Sequence, residues 1–304
     1  MLASLSIDLD ALEHYHRIHG LPDPPPGGAD PVYGKAVERF GDLCARLGVR
    51  GTAFCVGRNL EAPAAAAAAA ALARAGHELG NHSLSHDYAL ARLPEEEIAR
   101  EVRGGADAVA RVAGARPVGF RAPGYGLSAA LVAALVRDGY RYDSSAFPAL
   151  PYYLGKAGVM AALAATGRPS RAVLDRPRVL FAPRTPYRPR ADEPYARGDV
   201  ALLELPVATG ALGFPLIGTF VAAMPRAARL LAFTARRRPL LVLELHGVDL
   251  LDASDASPAL AARQRDLSVP AAEKIARIEG FVRAHGARRW TTLADAAEAL
   301  RAVS

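Results

Sequence analysis

His82 and His86 in the stretch GNHSLSH lie four residues apart, and Asp8 and Asp10 in SIDLD lie two apart. These are the residues whose types and spacing fit metal chemistry. Helix periodicity puts positions four apart on one face, and strand periodicity does the same for positions two apart. The histidines therefore read as a helical pair aimed at one small object, and the aspartates as a strand end presenting both carboxylates to one side. Two imidazoles and two carboxylates brought together are costly unless a cation joins them. His, His and Asp with an open position suit a catalytic divalent metal ion, Zn²⁺ first, with Co²⁺, Ni²⁺ or Mn²⁺ as alternatives. If one aspartate binds the metal, the other is free to take a proton from an attacking water that the ion has acidified. Arg121 supplies a charge to keep that second aspartate ionised, and His246 a group to protonate a departing amine. The chemistry is hydrolysis.

The elements that must position these groups follow from the apolar pattern. Short apolar runs at 2–7, GTAFCVG, HELGNH, VGFRAP, YRYDSS, VALLELPV, PLLVLELHG and RRWTTL alternate with helical patterns at 32–47, 63–75, 94–112, 128–138 and 271–285. Seven or eight strands with helices between them predict one α/β domain over 1–304, a parallel sheet closed into a barrel. Catalytic side chains of such barrels gather at the carboxyl ends of strands. Asp8 and Asp10 end the first strand, His82 and His86 follow the third, Arg121 ends the fourth and His246 ends LLVLELH. Two stretches break the rhythm: the proline- and glycine-rich 21–30, and an inserted loop region at 147–199 rich in Pro, Arg and Tyr. Both are placed to be active-site loops. The arginines of the second would suit a phosphate or carboxylate on the substrate.

Composition narrows the partners. The formal net charge of +6 comes from arginine, with lysine only at 35, 156 and 274. Stacked aromatics and a continuous basic stripe are missing, which argues against nucleic acid, and the charge favours an anionic ligand or membrane face. Cys44 and Cys55 read as reduced thiols, and the N-terminus shows no basic leader, so a cytoplasmic location is expected. No run reaches the roughly twenty apolar residues a spanning helix needs. The segment 217–238 carries apolar residues at helical spacing with arginines at 226, 229 and 236–238. It reads as a kinked helix packed over the barrel, with peripheral contact at the inner membrane face as the rival. His14, His16 and His19 read as lining a solvated loop, because no acidic partner is near them in sequence.

SIDLD, HSLSH, FRAPGYG, LLELPV and LELHGVD, in this order from Asp8 to Asp249, resemble the five motifs of the polysaccharide deacetylases, the NodB-homology domains of carbohydrate esterase family four. The resemblance implies a distorted (β/α)₇-type barrel and metal-dependent hydrolysis of an amide on an amino sugar, releasing acetate or another small acyl group. It implies Asp8 as general base, Asp10, His82 and His86 as metal ligands, Arg121 as the base's partner and His246 as general acid. Backbone N–H groups near Gly124 and Tyr125 would resemble the oxyanion site. The first motif departs from the family's adjacent aspartates by inserting Leu9, and the third places Gly124 where the family has tyrosine. The fourth offers Glu204 in place of the family's aspartate and tryptophan.

Glu244 and His246, two apart on one strand, share a face, and Glu204 would face the same interior from a neighbouring strand. One of the two glutamates is expected to set the histidine's tautomer and raise its pKa. The substrate is expected to be a small, nucleotide-activated or lipid-linked N-acylated amino sugar. A cyclic imide or ureide hydrolase on the same barrel, and a catalytically silent carbohydrate-binding relative, are the alternatives.

Overall fold

The computed structural model describes residues 1–24, 30–165, 167 and 173–302. Among the described residues, eight strands form one parallel sheet: β1 Leu2–Leu9, β2 Thr52–Cys55, β3 Glu78–Asn81, β4 Gly119–Phe120, β5 Tyr142–Asp143, β6 Leu203–Glu204, β7 Leu240–His246 and β8 Arg289–Trp290. The order is β6-β5-β4-β3-β2-β1-β7, with β8 against the start of β1. The sheet curls, and its β6 and β7 sides approach each other through the segment after β6. There the Ala208 amide donates to the Val242 carbonyl at 3.1 Å, and Ile217 bridges Glu244. The expected distorted (β/α)₇-type barrel is borne out.

Alternation along β1 explains how one strand serves two environments. Ala3, Leu5, Ile7 and Leu9 are fully buried in the outer core, where Phe40, Leu43, Leu72, Ile278 and Phe281 come down from the surrounding helices. Ser4, Ser6 and Asp8 are equally buried but point the other way, into the barrel. The helices are α1 Leu12–Ile18, α2 Val37–Leu47, α3 Pro63–Arg74, α4 Glu95–Ala113, α5 Ala129–Arg137, α6 Leu150–Ala165, α7 Gly218–Ala223, α8 Pro225–Thr234, α9 Pro258–Ala261, α10 Ala271–Ala284 and α11 Leu293–Arg301. Three glutamates in the first turn of α4 complement the positive end of its dipole, and Gly114 closes it in the left-handed conformation.

Two expectations change, on the histidine loop and on 147–199, and the kinked-helix reading of 217–238 holds. The stretch between His82 and His86 is a loop after β3, not a helix; Ser83 and His86 both have positive φ, 65° and 59°. The region 147–199 contains α6 and a 3₁₀ turn at Pro177–Phe181. Part of it, 166 and 168–172, lies outside the described residues, as does 25–29 of the proline-rich loop. The segment 217–238 is two helices broken at Pro225 and packed on α10, with Arg277 donating to the Ala222 carbonyl at 2.5 Å. Among the described residues, no helix is long and apolar enough to cross a membrane. Cys44 and Cys55 are free and buried, and burial pushes both thiols up to about 12.

Candidate metal centre and active site

Asp10, His82 and His86 converge at the carboxyl ends of β1 and β3. Oδ1 of Asp10 lies 3.2 Å from Nε2 of His82 and 3.0 Å from Nε2 of His86, and all three residues are buried. Nδ1 of His82 sits 2.7 Å from the Arg121 carbonyl, which fixes the ring with Nε2 turned inward. Burial alone would raise the Asp10 carboxyl, but His86 and His82 outweigh it and hold the pKa well below the usual range. Oδ1 of Asp10 has no hydrogen-bond partner despite its burial. Two imidazole nitrogens and one carboxylate oxygen facing a single point fit a divalent ion of the zinc type.

The loop that brings the two histidines together is tied down by its neighbours. Asn81 donates to the Val102 carbonyl at 2.8 Å, anchoring the end of β3 to α4, and its own carbonyl accepts the Arg121 amide at 3.0 Å. Ser83 Oγ accepts the His86 amide at 3.0 Å, which closes the turn. Glu101 on α4 accepts from both the amide and the hydroxyl of Ser85 at 2.8 Å. Ser83, Ser85 and Glu101 are positioning residues that the motif reading did not single out. The signal was the small polar residues inside the motif, which serve to turn the chain.

Asp8 faces the metal cradle from β1, with Oδ2 3.8 Å from Nε2 of His82. Its other oxygen accepts from Nη1 of Arg121 at 2.7 Å. The Arg121 side chain has no solvent exposure. It donates to the Ser144 carbonyl at 2.8 Å, Ser6 Oγ at 3.1 Å and Ser144 Oγ at 3.0 Å, and lies 4.3 Å from the Phe54 ring centroid. Burial opposes its charge, but Asp8 and Glu244 carry its pKa above the ordinary value. Phe54 can support it because Gly80 has no side chain: a Cβ there would fall 2.5 Å from the Phe54 ring.

His246 closes β7 opposite this group, its side chain 22% exposed while Glu244 is fully buried. Nε2 of His246 is 3.4 Å from Oε1 of Glu244, which also accepts from the Tyr125 hydroxyl at 2.5 Å. Burial works against the imidazolium, yet Glu244, with Asp10 and Asp8 behind it, raises His246 to about 9. Asp249 fixes the backbone, its Oδ2 accepting the His246 amide at 2.9 Å. Glu204 does not reach this pair. It accepts the Ala146 amide at 2.9 Å and interacts with Asp143, which together with burial holds its own pKa well above the usual carboxylate range. Of the two glutamates it is Glu244 that stands within reach of His246, because Glu204 is taken up by the Ala146 amide and Asp143.

Asp8, Glu244 and His246 form a second group with ligand-type atoms close together. Arg121 occupies one Asp8 oxygen and Tyr125 one Glu244 oxygen. A buried guanidinium beside a second cation is unfavourable, so this group fits a metal ion less well than the Asp10, His82 and His86 cradle does. Of the two backbone N–H groups expected near an oxyanion, one is already taken. Gly124 and Tyr125 both take the left-handed conformation, φ 65° and 71°, and the Tyr125 amide already donates to the Ala122 carbonyl at 3.0 Å. Gly124 supplies the remaining N–H of the pair.

The histidines after β1 correct the sequence reading. His14 and His16 lie on α1 and His19 directly follows it, not in a solvated loop. His14 and His16 are buried, and only His19 is partly exposed, paired with Gln264 at 2.8 Å. The His14 ring packs on His86 with centroids 4.3 Å apart, and its Nε2 makes no hydrogen bond, with Oε1 of Glu13 3.8 Å away. Burial, then the neighbouring His86, pushes its pKa down to about 3, so it is neutral. His14 is thus part of the wall behind the metal cradle, visible only once α1 is folded against β3.

Residues 29–142 match the family model for polysaccharide deacetylase, a stretch that holds His82, His86 and Arg121. No curated protein matches the chain. Among solved structures, a candidate polysaccharide deacetylase from Mycobacterium smegmatis is 19% identical over 99% of this chain and 90% of its own, with a TM-score of 0.62. A family-four pseudoenzyme from Bacillus anthracis is 9% identical over 97% of this chain and 65% of its own, TM-score 0.50. A family-four acetyl xylan esterase from Clostridium thermocellum, solved with a cobalt ion, is 25% identical over 44% of this chain and 54% of its own, TM-score 0.34. The resemblance is thereby borne out in sequence over 29–142, which holds the second and third of the five motifs, and the fold over the whole chain is similar to that of the Mycobacterium smegmatis structure.

Proposed function

We propose that the protein is a metal-dependent N-deacylase that hydrolyses the amide of an N-acylated amino sugar, small, nucleotide-activated or lipid-linked, on the cytoplasmic side of the membrane. The observation that carries the reading is the meeting of three differently served groups at one barrel mouth: the Asp10, His82, His86 cradle, Asp8 clamped by Arg121, and His246 backed by Glu244. Asp10, His82 and His86 would hold a divalent ion, Zn²⁺ in the first instance, which supplies Lewis-acid polarisation and acidifies water when bound.

The chain's own residues divide the proton chemistry. Asp8, one oxygen of which accepts from Arg121, accepts a proton from the attacking water with the other. The Gly124 N–H is offered to the oxygen of the amide carbonyl as charge builds there. His246, held protonated by Glu244 and partly open to the cleft, gives its proton to the nitrogen as the carbon–nitrogen bond breaks. A proton acceptor on the water side and an imidazolium on the nitrogen side are what amide hydrolysis needs, since the amine is a poor leaving group until protonated.

Release of acetate or formate from N-acylated amino sugars, free and diphosphate-linked, is the test, run with metal-loaded wild type and Asp8→Asn. Release that needs both the metal and Asp8 supports the reading. Metal binding with no acyl release from any sugar refutes it and points to cyclic imides or ureides, or to a silent carbohydrate-binding relative.

A further inference from the structure

The chain has three lysines, and two of them are fully engaged. Lys35 pairs with Asp255 at 2.6 Å, and Lys274 donates to the Val248 and Asp266 carbonyls at 2.7 and 2.8 Å. Lys156, on α6, has neither a hydrogen bond nor an ion pair among the described residues, although it is half-buried. Its nearest aromatic face is Tyr152, 6.0 Å from Nζ to the ring centroid. An ammonium with three donors, drawn out of water and given no acceptor, is unfavourable unless a ligand supplies one. Burial lowers its pKa to about 8, with Asp175 acting in the opposite direction. Asp175 itself is spoken for, accepting from the Tyr195 hydroxyl and from the Arg176 amide.

Lys156 lies beside the reaction site. Nζ is 3.7 Å from where a Cβ on Gly124 would stand, and the Tyr88 ring lies 3.0 Å from the same point on the other side. Tyr88 in turn meets His86 edge-on, centroids 4.9 Å apart. Tyr152 packs edge-on against Tyr125, the residue that donates to Glu244. One small cavity runs between Gly124, Phe147, Tyr152, Lys156, Asp175 and Val179, and a second adjoins it at Gly124 with Arg92, Arg176 and again Asp175 in its wall, so the acidic group in both is the one already bonded to Tyr195 and the Arg176 amide. Arginines further along, Arg178 and Arg190, are committed to Glu193 and Asp192. The uncommitted cation over the aromatic floor is Lys156.

We propose that Lys156, with Arg92 and Arg176 at the rim, forms a subsite for an anionic oxygen group, a phosphate or a carboxylate, on the amino sugar whose amide is cleaved. The inference rests on the deacylase reading and refines it: aromatic faces take the sugar ring, and the ammonium selects its charged substituent. The test compares N-acetylglucosamine methyl glycoside with N-acetylglucosamine 1-phosphate and N-acetylmuramic acid, in wild type, Lys156→Met and Lys156→Arg. Turnover is measured as acetate release, and binding separately by calorimetry at low and high salt.

In wild type the charged sugars are preferred, and in Lys156→Met the ratio of charged to neutral kcat/KM falls by about tenfold to a hundredfold, carried in KM. Lys156→Arg keeps most of the preference, which excludes simple misfolding. A preference confined to the phosphate or to the muramic acid arm identifies the group. Loss of charged-sugar binding in Lys156→Met with no acetate released by any variant keeps the subsite and overturns the deacylase. Acetate release that is equal for charged and neutral sugars, or a preference unchanged in Lys156→Met, overturns the subsite and leaves the deacylase standing.

Discussion

Replacing Glu244 with glutamine removes one negative charge and almost no volume. The carboxylate oxygen lies 3.4 Å from Nε2 of His246 and is fully buried, so the charge acts through little water. Coulomb's law at an effective dielectric of about 20 gives roughly 5 kcal/mol at that distance, an upper bound of more than three pH units. Relaxation and the remaining Asp8 and Asp10 charges reduce it, and a loss of about one to three units is expected for a carboxylate at this range. The sign is fixed by the role. A general acid works while protonated, so activity is lost as pH rises through its pKa, and lowering that pKa from about 9 moves the alkaline limb of kcat/KM to lower pH. The assay is acetate release from an N-acetylated amino sugar by metal-loaded enzyme across the pH range, for wild type, Glu244→Gln and Glu204→Gln. Glu204→Gln should leave the limb in place, because Glu204 bonds the Ala146 amide instead. An alkaline limb unmoved by Glu244→Gln would refute the assignment of His246 as the acid tuned by Glu244.

Arg121→Met should destabilise the fold by roughly 3–5 kcal/mol in denaturant unfolding, because it strands the buried Asp8 carboxylate and the Ser144 carbonyl; a loss under 1 kcal/mol would show that the pair is not structural. His14→Ala should weaken metal binding by about ten- to a hundredfold in a chelator competition, since the ring that backs His86 is lost, while His19→Ala should not. Gly80→Ala should cost about 1–3 kcal/mol by forcing Phe54 from under Arg121, and should lower kcat more than metal affinity. Equal losses in both would place its effect on the histidine loop instead.

Much of the architecture is a consequence of local pattern. Polar Ser4, Ser6 and Asp8 alternating with apolar Ala3, Leu5 and Ile7 decide which face of β1 enters the barrel, whatever the strand's neighbours turn out to be. Strand-end placement made Asp8, Asp10, His82, His86, Arg121 and His246 legible as one site, because parallel βα units all end their strands on the same side. Spacing alone failed where the backbone leaves regular structure. His82 and His86 meet through a loop with two left-handed residues, a conformation held by Ser83, Glu101 and Asn81 and not by any helical period. His14 was misplaced because what covers it is α1 folding back onto the loop after β3, about seventy residues away in sequence. The choice between Glu204 and Glu244 also needed the tertiary structure. Both are glutamates on strands, and the fold separates them by giving Glu204 the Ala146 amide and Asp143 as partners while Glu244 is left 3.4 Å from His246.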